Sequence, residues 1–169
     1  MLFRKLTTRF SAGLSLLLDK TEETPESTLR ALWHAAADAP VSIEKAGSLP
    51  LPELDAFDVN RLQRLIGQRV AGIPLAHLTG RQHFMGLELL AGEEALILRR
   101  EAELLGRGAL EVLQGLEAGR DEGTVVDVCT GSGNLALAWV FTADLSGEAV
   151  ALALRNGHHL GLEARVEFR

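Results

Sequence analysis

An apolar run that ends near an acid and opens into glycines, TVVDVCTGSGNLAL (Thr124–Leu137), constrains this chain more than any other stretch. Residues 124–128 have the β-branched density of a buried strand, and Asn134–Leu137 resumes with helix formers. Gly131-Ser132-Gly133 must then be a tight strand-to-helix turn, where missing side chains let a ligand approach the backbone amides at the helix start. Read alone, GSGNLA also satisfies the loose dinucleotide pattern G-x-G-x-x-A. Asp127 argues against that ligand, because a carboxylate under the loop repels a pyrophosphate. It attracts S-adenosylmethionine, which carries a sulfonium and an α-ammonium but no phosphate. Asp144, at the end of the next expected strand, is placed to accept both hydroxyl protons of a ribose. Two alternatives stay open: Asp127 as a simple cap of the turn, and a fragment of a dinucleotide-dependent oxidoreductase.

The single cysteine, Cys129, closes the strand with no histidine near it in sequence, and reads as a small apolar filler rather than a nucleophile. One cysteine also excludes a disulfide framework and points to a reducing, cytoplasmic setting. His77 and His83 lie six apart and His158 and His159 are adjacent, spacings that do not suit zinc.

Downstream of the loop the text alternates: WVFTAD as a strand, a helix from Ser146 to about Leu160, then ARVEF as a strand. Strands alternating with helices imply an α/β fold with a parallel sheet. The first half reads differently. Leu (32 residues) and Ala (22) dominate the 169 residues, and both lose little on entering a helix. Leu2, Leu6, Phe10, Leu14 and Leu17 recur at helical spacing, so the basic start resembles an amphipathic helix more than a signal peptide. Thr24-Pro25-Glu26 is a helix start, with Leu29, Leu32, Trp33 and Ala36 as the buried face. A further helix over 55–70 has Leu62, Leu65, Ile66 and Val70 inward, with Arg61, Arg64 and Gln68 on its solvated side. Residues 82–90 and 95–98 read as two strands of a hairpin turning at Ala91–Glu94. A helix over about 100–118 then has Leu104, Leu105, Ala109, Val112, Leu113 and Leu116 inward.

The net charge is −6, distributed as +1 over residues 1–84 and −7 over residues 85–169. An acidic second half disfavours a phosphate backbone as the main ligand. No apolar run approaches the ~20 residues of a membrane span.

Three ordered blocks carry a family resemblance: RVAGIPLAHLTGRQHFMGLEL (Arg69–Leu89), ALILRREAELL (Ala95–Leu105) and VVDVCTGSGNLALA (Val125–Ala138). Together they resemble the HemK-type N5-glutamine methyltransferases, which modify the GGQ loop of peptide-chain release factors; a sister group modifies a ribosomal protein. The resemblance implies a helical substrate-recognition domain over 1–80, a β-hairpin linker over 81–99 and the first half of a Rossmann-like class I methyltransferase domain over 100–169. It implies S-adenosyl-L-methionine as cofactor, held by Asp127, Cys129, Thr130, Gly131, Ser132, Gly133 and Asp144. Arg99, Glu101 and Glu103 would occupy the family's P-R-x-E-T-E block beside the site, whose Pro and Thr are Leu98 and Ala102 here. The family's N-P-P-Y motif does not occur in these residues, so no catalytic residue is assigned.

The spacing raises a second expectation. A strand ending at Cys129 and another beginning at Trp139 leave nine residues, 130–138, for the crossover. Parallel crossovers take a dozen or more, and seven helical residues span only ~10 Å against ~17 Å for a five-residue strand. The chain thus reads as truncated and internally shortened, and a non-catalytic binding module or degraded fragment is the alternative to a working enzyme. An open half-sheet would expose Trp139–Ala143 to self-association.

Overall fold

The computed structural model describes residues 2–11, 13–14, 20–117, 126–128, 130–139, 142–143, 147–162 and 164. They divide between two compact units, Met1–His83 and Phe84–Arg169, with eight helices and four short strands among the described residues.

The first unit is helical. α1 (Leu2–Ser11) precedes α2 (Pro25–Ala36), which starts as its sequence requires. The Thr24 hydroxyl accepts from the Ser27 amide, the Ser27 hydroxyl accepts from the Thr24 amide, and Pro25 occupies the first helical position. α4 (Ala56–Val70) starts in the same way on a reciprocal Asp55–Asp58 pair. Leu29, Leu32 and Leu62 are fully buried at the centre, joined by Phe10, Trp33 and Leu75. Each such leucine contributes about 1.5–3 kcal/mol of burial. The Trp33 indole N–H donates to the Pro52 carbonyl at 2.9 Å, so its ring is buried without an unsatisfied donor. Arg69 and Glu23 form a buried ion pair at 2.7 Å, a pairing whose rupture strands a charge in the core.

Two short helices join the longer ones: α3 (Ile43–Ser48), capped by Ser42, and α5 (Leu75–Thr79), which ends on Gly80 in the left-handed region. Six or fewer residues carry too little periodicity to be read without their packing partners. Val70 is exposed rather than inward, because it closes the last turn of α4.

The hairpin also turns at a different place. β1 (Arg81–Phe84) and β2 (Leu87–Leu90) form a two-stranded sheet around Met85-Gly86, and residues 95–98 are not a strand. Both turn residues have positive φ, 48° at Met85 and 89° at Gly86, as the turn that matches strand twist requires. Methionine is an uncommon occupant of that region, so the sequence reads as one continuous strand. Tertiary contacts hold it there. The Met85 amide donates to the Glu103 carboxylate at 2.8 Å, and the Met85 sulfur lies where a Cβ on Gly106 would stand, 2.5 Å from that point.

Glu103 and Gly106 belong to α6 (Arg100–Glu117), on which Gly106 is buried and Ala102 half-buried among the described side chains. Leu104, Leu105 and Val112 are exposed, contrary to their expected inward placement, whereas Ala109 is half-buried and the side chains of Leu113 and Leu116 lie outside the described ones. Helical spacing identifies an apolar stripe, but close approach of Met85 and Leu135 to Gly106 selects another face.

β3 (Asp127–Val128) and β4 (Thr142–Ala143) pair in parallel, Asp127 opposite Thr142, with α7 (Asn134–Trp139) between them. Trp139 ends that helix instead of starting a strand. The first described residue of the second strand is Thr142. Val140, Phe141 and the ARVEF segment apart from Ala164 lie outside the described residues. α8 (Gly147–Leu160) packs on β2 and α7. Phe84, Leu89 and Leu137 form the buried apolar cluster of this unit, with Leu98 and Ala102 packed against it.

Candidate functional site

The loop between β3 and α7 is built by glycine. Gly131 has φ 56° and Gly133 φ 78°, backbone that other residues rarely adopt. A Cβ on Gly133 would stand 2.9 Å from the Ala153 Cβ of α8, whereas one on Gly131 would meet nothing within 4 Å. One glycine thus permits close helix packing and the other leaves open space beside the backbone. The Gly133 amide donates to the Thr130 carbonyl at 3.0 Å, closing the turn, and the Leu137 amide donates to the Gly133 carbonyl, starting α7.

Asp127 is half-buried at the base of this turn, and its carboxylate accepts from the Thr130 hydroxyl at 3.1 Å. The bond tethers strand to loop, as the capping alternative requires, and holds a carboxylate under the glycines, as a cationic ligand requires. Thr130, Ser132, Gly133 and Asn134 are buried and Gly131 is half-buried. The structure therefore brings together Asp127, Thr130, Gly131, Ser132 and Gly133. Cys129 and Asp144 lie outside the described residues.

The Arg99–Glu103 block divides by exposure. Arg99 and Glu101 are exposed around the start of α6, while Glu103 turns inward to cap the Met85 amide and pairs with Arg107 at 3.5 Å. Leu98 and Ala102, the two departures from the resembling pattern, both pack on the Phe84–Leu89–Leu137 cluster. Among the described residues no group of three or more His, Cys, Asp or Glu could hold a metal ion.

Sequence reasoning passed over one residue that shapes the loop. Asn156, fully buried in the middle of α8, donates from Nδ2 to the Ser132 carbonyl at 3.0 Å. An asparagine interrupting the apolar face of AVALALRNGHHL was the available signal, since a buried amide needs partners.

With this geometry in view, similarity to known proteins decides the lineage. The release factor glutamine methyltransferase of Xylella fastidiosa is 34% identical over 165 residues, covering 92% of this chain and 57% of the relative. The protein of the same name from Moorella thermoacetica is 37% identical over 122 residues, 68% of this chain and 42% of the relative. That of Deinococcus radiodurans is 41% identical over 108 residues, 59% of this chain and 37% of the relative. The chain belongs to the release factor glutamine methyltransferase family. It spans about half the length of the curated relatives it matches. No family model matches it. The match to the Xylella fastidiosa protein extends over most of both compact units, and the family is one of enzymes by name.

Proposed function

We propose that this chain supplies the helical substrate-recognition domain, the hairpin linker and the methyl-donor half of a Rossmann-like domain in a release factor glutamine methyltransferase. The observation that carries the proposal is the glycine loop: two left-handed glycines between a parallel strand and a helix, over a carboxylate at the strand end. The open side of Gly131 leaves room for a ligand against the backbone, and Asp127 offers it a negative charge. These residues fit S-adenosylmethionine better than a dinucleotide, whose pyrophosphate would meet that carboxylate.

S-adenosylmethionine, when bound, supplies an electrophilic methyl group on a sulfonium. Thr130, Gly131, Ser132 and Gly133 shape the cradle, and Asp127 contributes charge complementary to the cationic end. Cys129 is assigned to the wall of the cradle and Asp144 to the ribose hydroxyls. Arg99 and Glu101 are assigned to the rim of the site, and Glu103 to the hairpin turn beside it. The substrate is the side-chain amide of a glutamine in a release factor, in keeping with the names of the relatives. Transfer forms an N–CH3 bond as the S–CH3 bond breaks, and the amide nitrogen gives up a proton. An amide is a weak nucleophile, so alignment supplies most of the acceleration. No helix among the described residues is long and apolar enough to cross a membrane, and a cytoplasmic setting fits both the single cysteine and the substrate.

Calorimetry with S-adenosylhomocysteine and with NAD tests the reading. S-adenosylhomocysteine is expected to bind and NAD to bind more weakly; preferential NAD binding would overturn it. Replacing Asp144 with Ala should weaken S-adenosylhomocysteine binding by about 1–3 kcal/mol, the loss expected for charge-assisted hydrogen bonds.

A further inference from the structure

Asn156 satisfies two distant parts of its unit at once. Its Nδ2 donates to the Ser132 carbonyl at 3.0 Å and to the Leu90 carbonyl at 3.3 Å, and its Oδ1 accepts from the Leu90 amide at 2.5 Å. Toward β2 the side chain behaves as a strand neighbour would, pairing with both the N–H and the C=O of one residue. Toward the loop it spends its second hydrogen on the peptide that joins Ser132 to Gly133. The other end of that peptide is held as well, since the Gly133 amide donates to Thr130. One turn earlier on α8, Ala153 fills the space that a Gly133 side chain would need. Helix α8 therefore clamps the glycine loop at Ala153 and Asn156, both fully buried.

The three bonds leave the amide no alternative orientation. Its two hydrogens meet two carbonyls and its oxygen meets an N–H. A rotated amide would set oxygen against the Leu90 carbonyl and nitrogen against the Leu90 amide. The clamp is thus specific to an amide of this length, which an apolar side chain of equal volume cannot replace.

We propose that Asn156 is a positioning residue for the methyl-donor loop: through the Ser132 carbonyl it holds the glycine turn in its ligand-accepting form, and through Leu90 it couples that turn to strand β2. The proposal rests on the reading of the loop as a nucleoside site. Asn156 does not touch the ligand; it acts on the peptide that the ligand approaches. A ligand settling on the loop stiffens the Ser132–Gly133 peptide and tightens both bonds to Leu90. Conversely, displacing β2 loosens the loop. A strand following the hairpin turn then reports on whether the methyl donor is present.

The test uses the 169-residue protein with S-adenosylhomocysteine as the probe. Asn156→Asp keeps the shape, but at about pH 8 its carboxylate faces two carbonyl oxygens with no hydrogen to give. Affinity measured by calorimetry should fall about tenfold or more in the folded variant. It should recover toward about pH 5.5, where a buried carboxyl regains its proton and can donate again. Asn156→Leu should lose affinity without recovery. Glu88, Glu94, Arg155, His158 and His159 carry or change charge on the elements around this site, so each affinity is expressed relative to the unsubstituted protein at the same pH.

A folded Asn156→Asp that binds as tightly as the unsubstituted protein at the higher pH overturns the proposal. Amide hydrogen exchange in the unsubstituted protein gives a second reading that needs no variant. S-adenosylhomocysteine should slow exchange at Leu90; binding that leaves Leu90 exchange unchanged overturns the coupling. Absence of any S-adenosylhomocysteine binding by the unsubstituted protein overturns the functional reading and this proposal with it. Binding accompanied by an unaffected variant overturns this proposal alone.

Discussion

The two compact units are held together by different means. In Met1–His83 the centre is apolar and continuous: Phe10, Leu29, Leu32, Trp33, Leu62 and Leu75 pack as one cluster. In Phe84–Arg169 the described apolar cluster is smaller, and the parts around the glycine loop are fixed by buried polar groups, Thr130, Ser132, Asn134 and Asn156. Apolar side chains there are left outside, with Leu104, Leu105, Val126 and Val128 all exposed. Apolar packing is tolerant of detail, because many contacts share the load. A hydrogen-bonded loop is not, because each buried polar group needs its own partner in place. Among the described residues, the first unit is organised by apolar packing and the second by the hydrogen bonds that shape its loop.

Crossed substitutions would break or sharpen this contrast. The largest effect is expected from Leu32→Ala, which removes a fully buried side chain and should cost about 2–5 kcal/mol. Denaturation followed by Trp33 fluorescence in a Trp139→Phe background would record it, while S-adenosylhomocysteine affinity of the folded fraction should stay near that of the parent. A comparable loss of affinity would mean that the loop draws on the helical core.

Gly133→Ala should do the reverse. It places a Cβ 2.9 Å from Ala153 at a φ of 78°, a strain of about 1–3 kcal/mol confined to the loop. Calorimetric affinity should drop while the Trp33 transition barely moves. An unchanged affinity would show that the loop relaxes freely and is not preorganised.

Smaller again is Thr24→Ala, which deletes one half of the capping box of α2 and should lower the Trp33 midpoint by an amount equivalent to about 1 kcal/mol. A much larger loss would show that the cap organises more than one helix.

The smallest effect concerns acid. His34 is buried on α2, and burial, with the Arg30 charge added, lowers its pKa from 6.5. A histidine whose folded pKa lies below its unfolded value binds protons more readily when unfolded. Its contribution to stability is therefore complete above about pH 6.5 and declines as the pH falls through that value toward the lower folded pKa. Denaturant midpoints of the parent should decline between about pH 7 and pH 5, and His34→Gln should flatten that decline. An identical slope in both proteins would assign the acid sensitivity to other groups.

Legibility differed between the units for the same reason that their construction does. The α2 start at Thr24-Pro25 and the Leu29, Leu32, Trp33, Ala36 face are local, set by neighbours within four residues, and they stand in the structure as read. So do the limits of α4 and the strand–glycine–helix order around Gly131. The hairpin turn was misplaced because Met85 adopts positive φ only with Glu103 and Gly106 against it, eighteen and more residues away. Leu104, Leu105 and Val112 on α6 face outward against their spacing because periodicity states which residues are apolar and not which neighbour comes closest. Asn156 went unseen as part of the site because its partners lie 24 and 66 residues away.

By itself the sequence determined where helices begin, where the chain must turn on glycine, which acid stands beneath that turn, and the family to which the blocks belong. Those are properties of adjacent residues, encoded in steric limits and side-chain hydrogen bonds that act within one turn. Only the tertiary structure decided that Gly133 yields its side-chain space to Ala153, that Glu103 serves the hairpin turn, and that the amide of Asn156 joins loop to strand. A buried polar group takes whichever partner folding brings within hydrogen-bonding distance, and that distance is not written in the spacing of the chain.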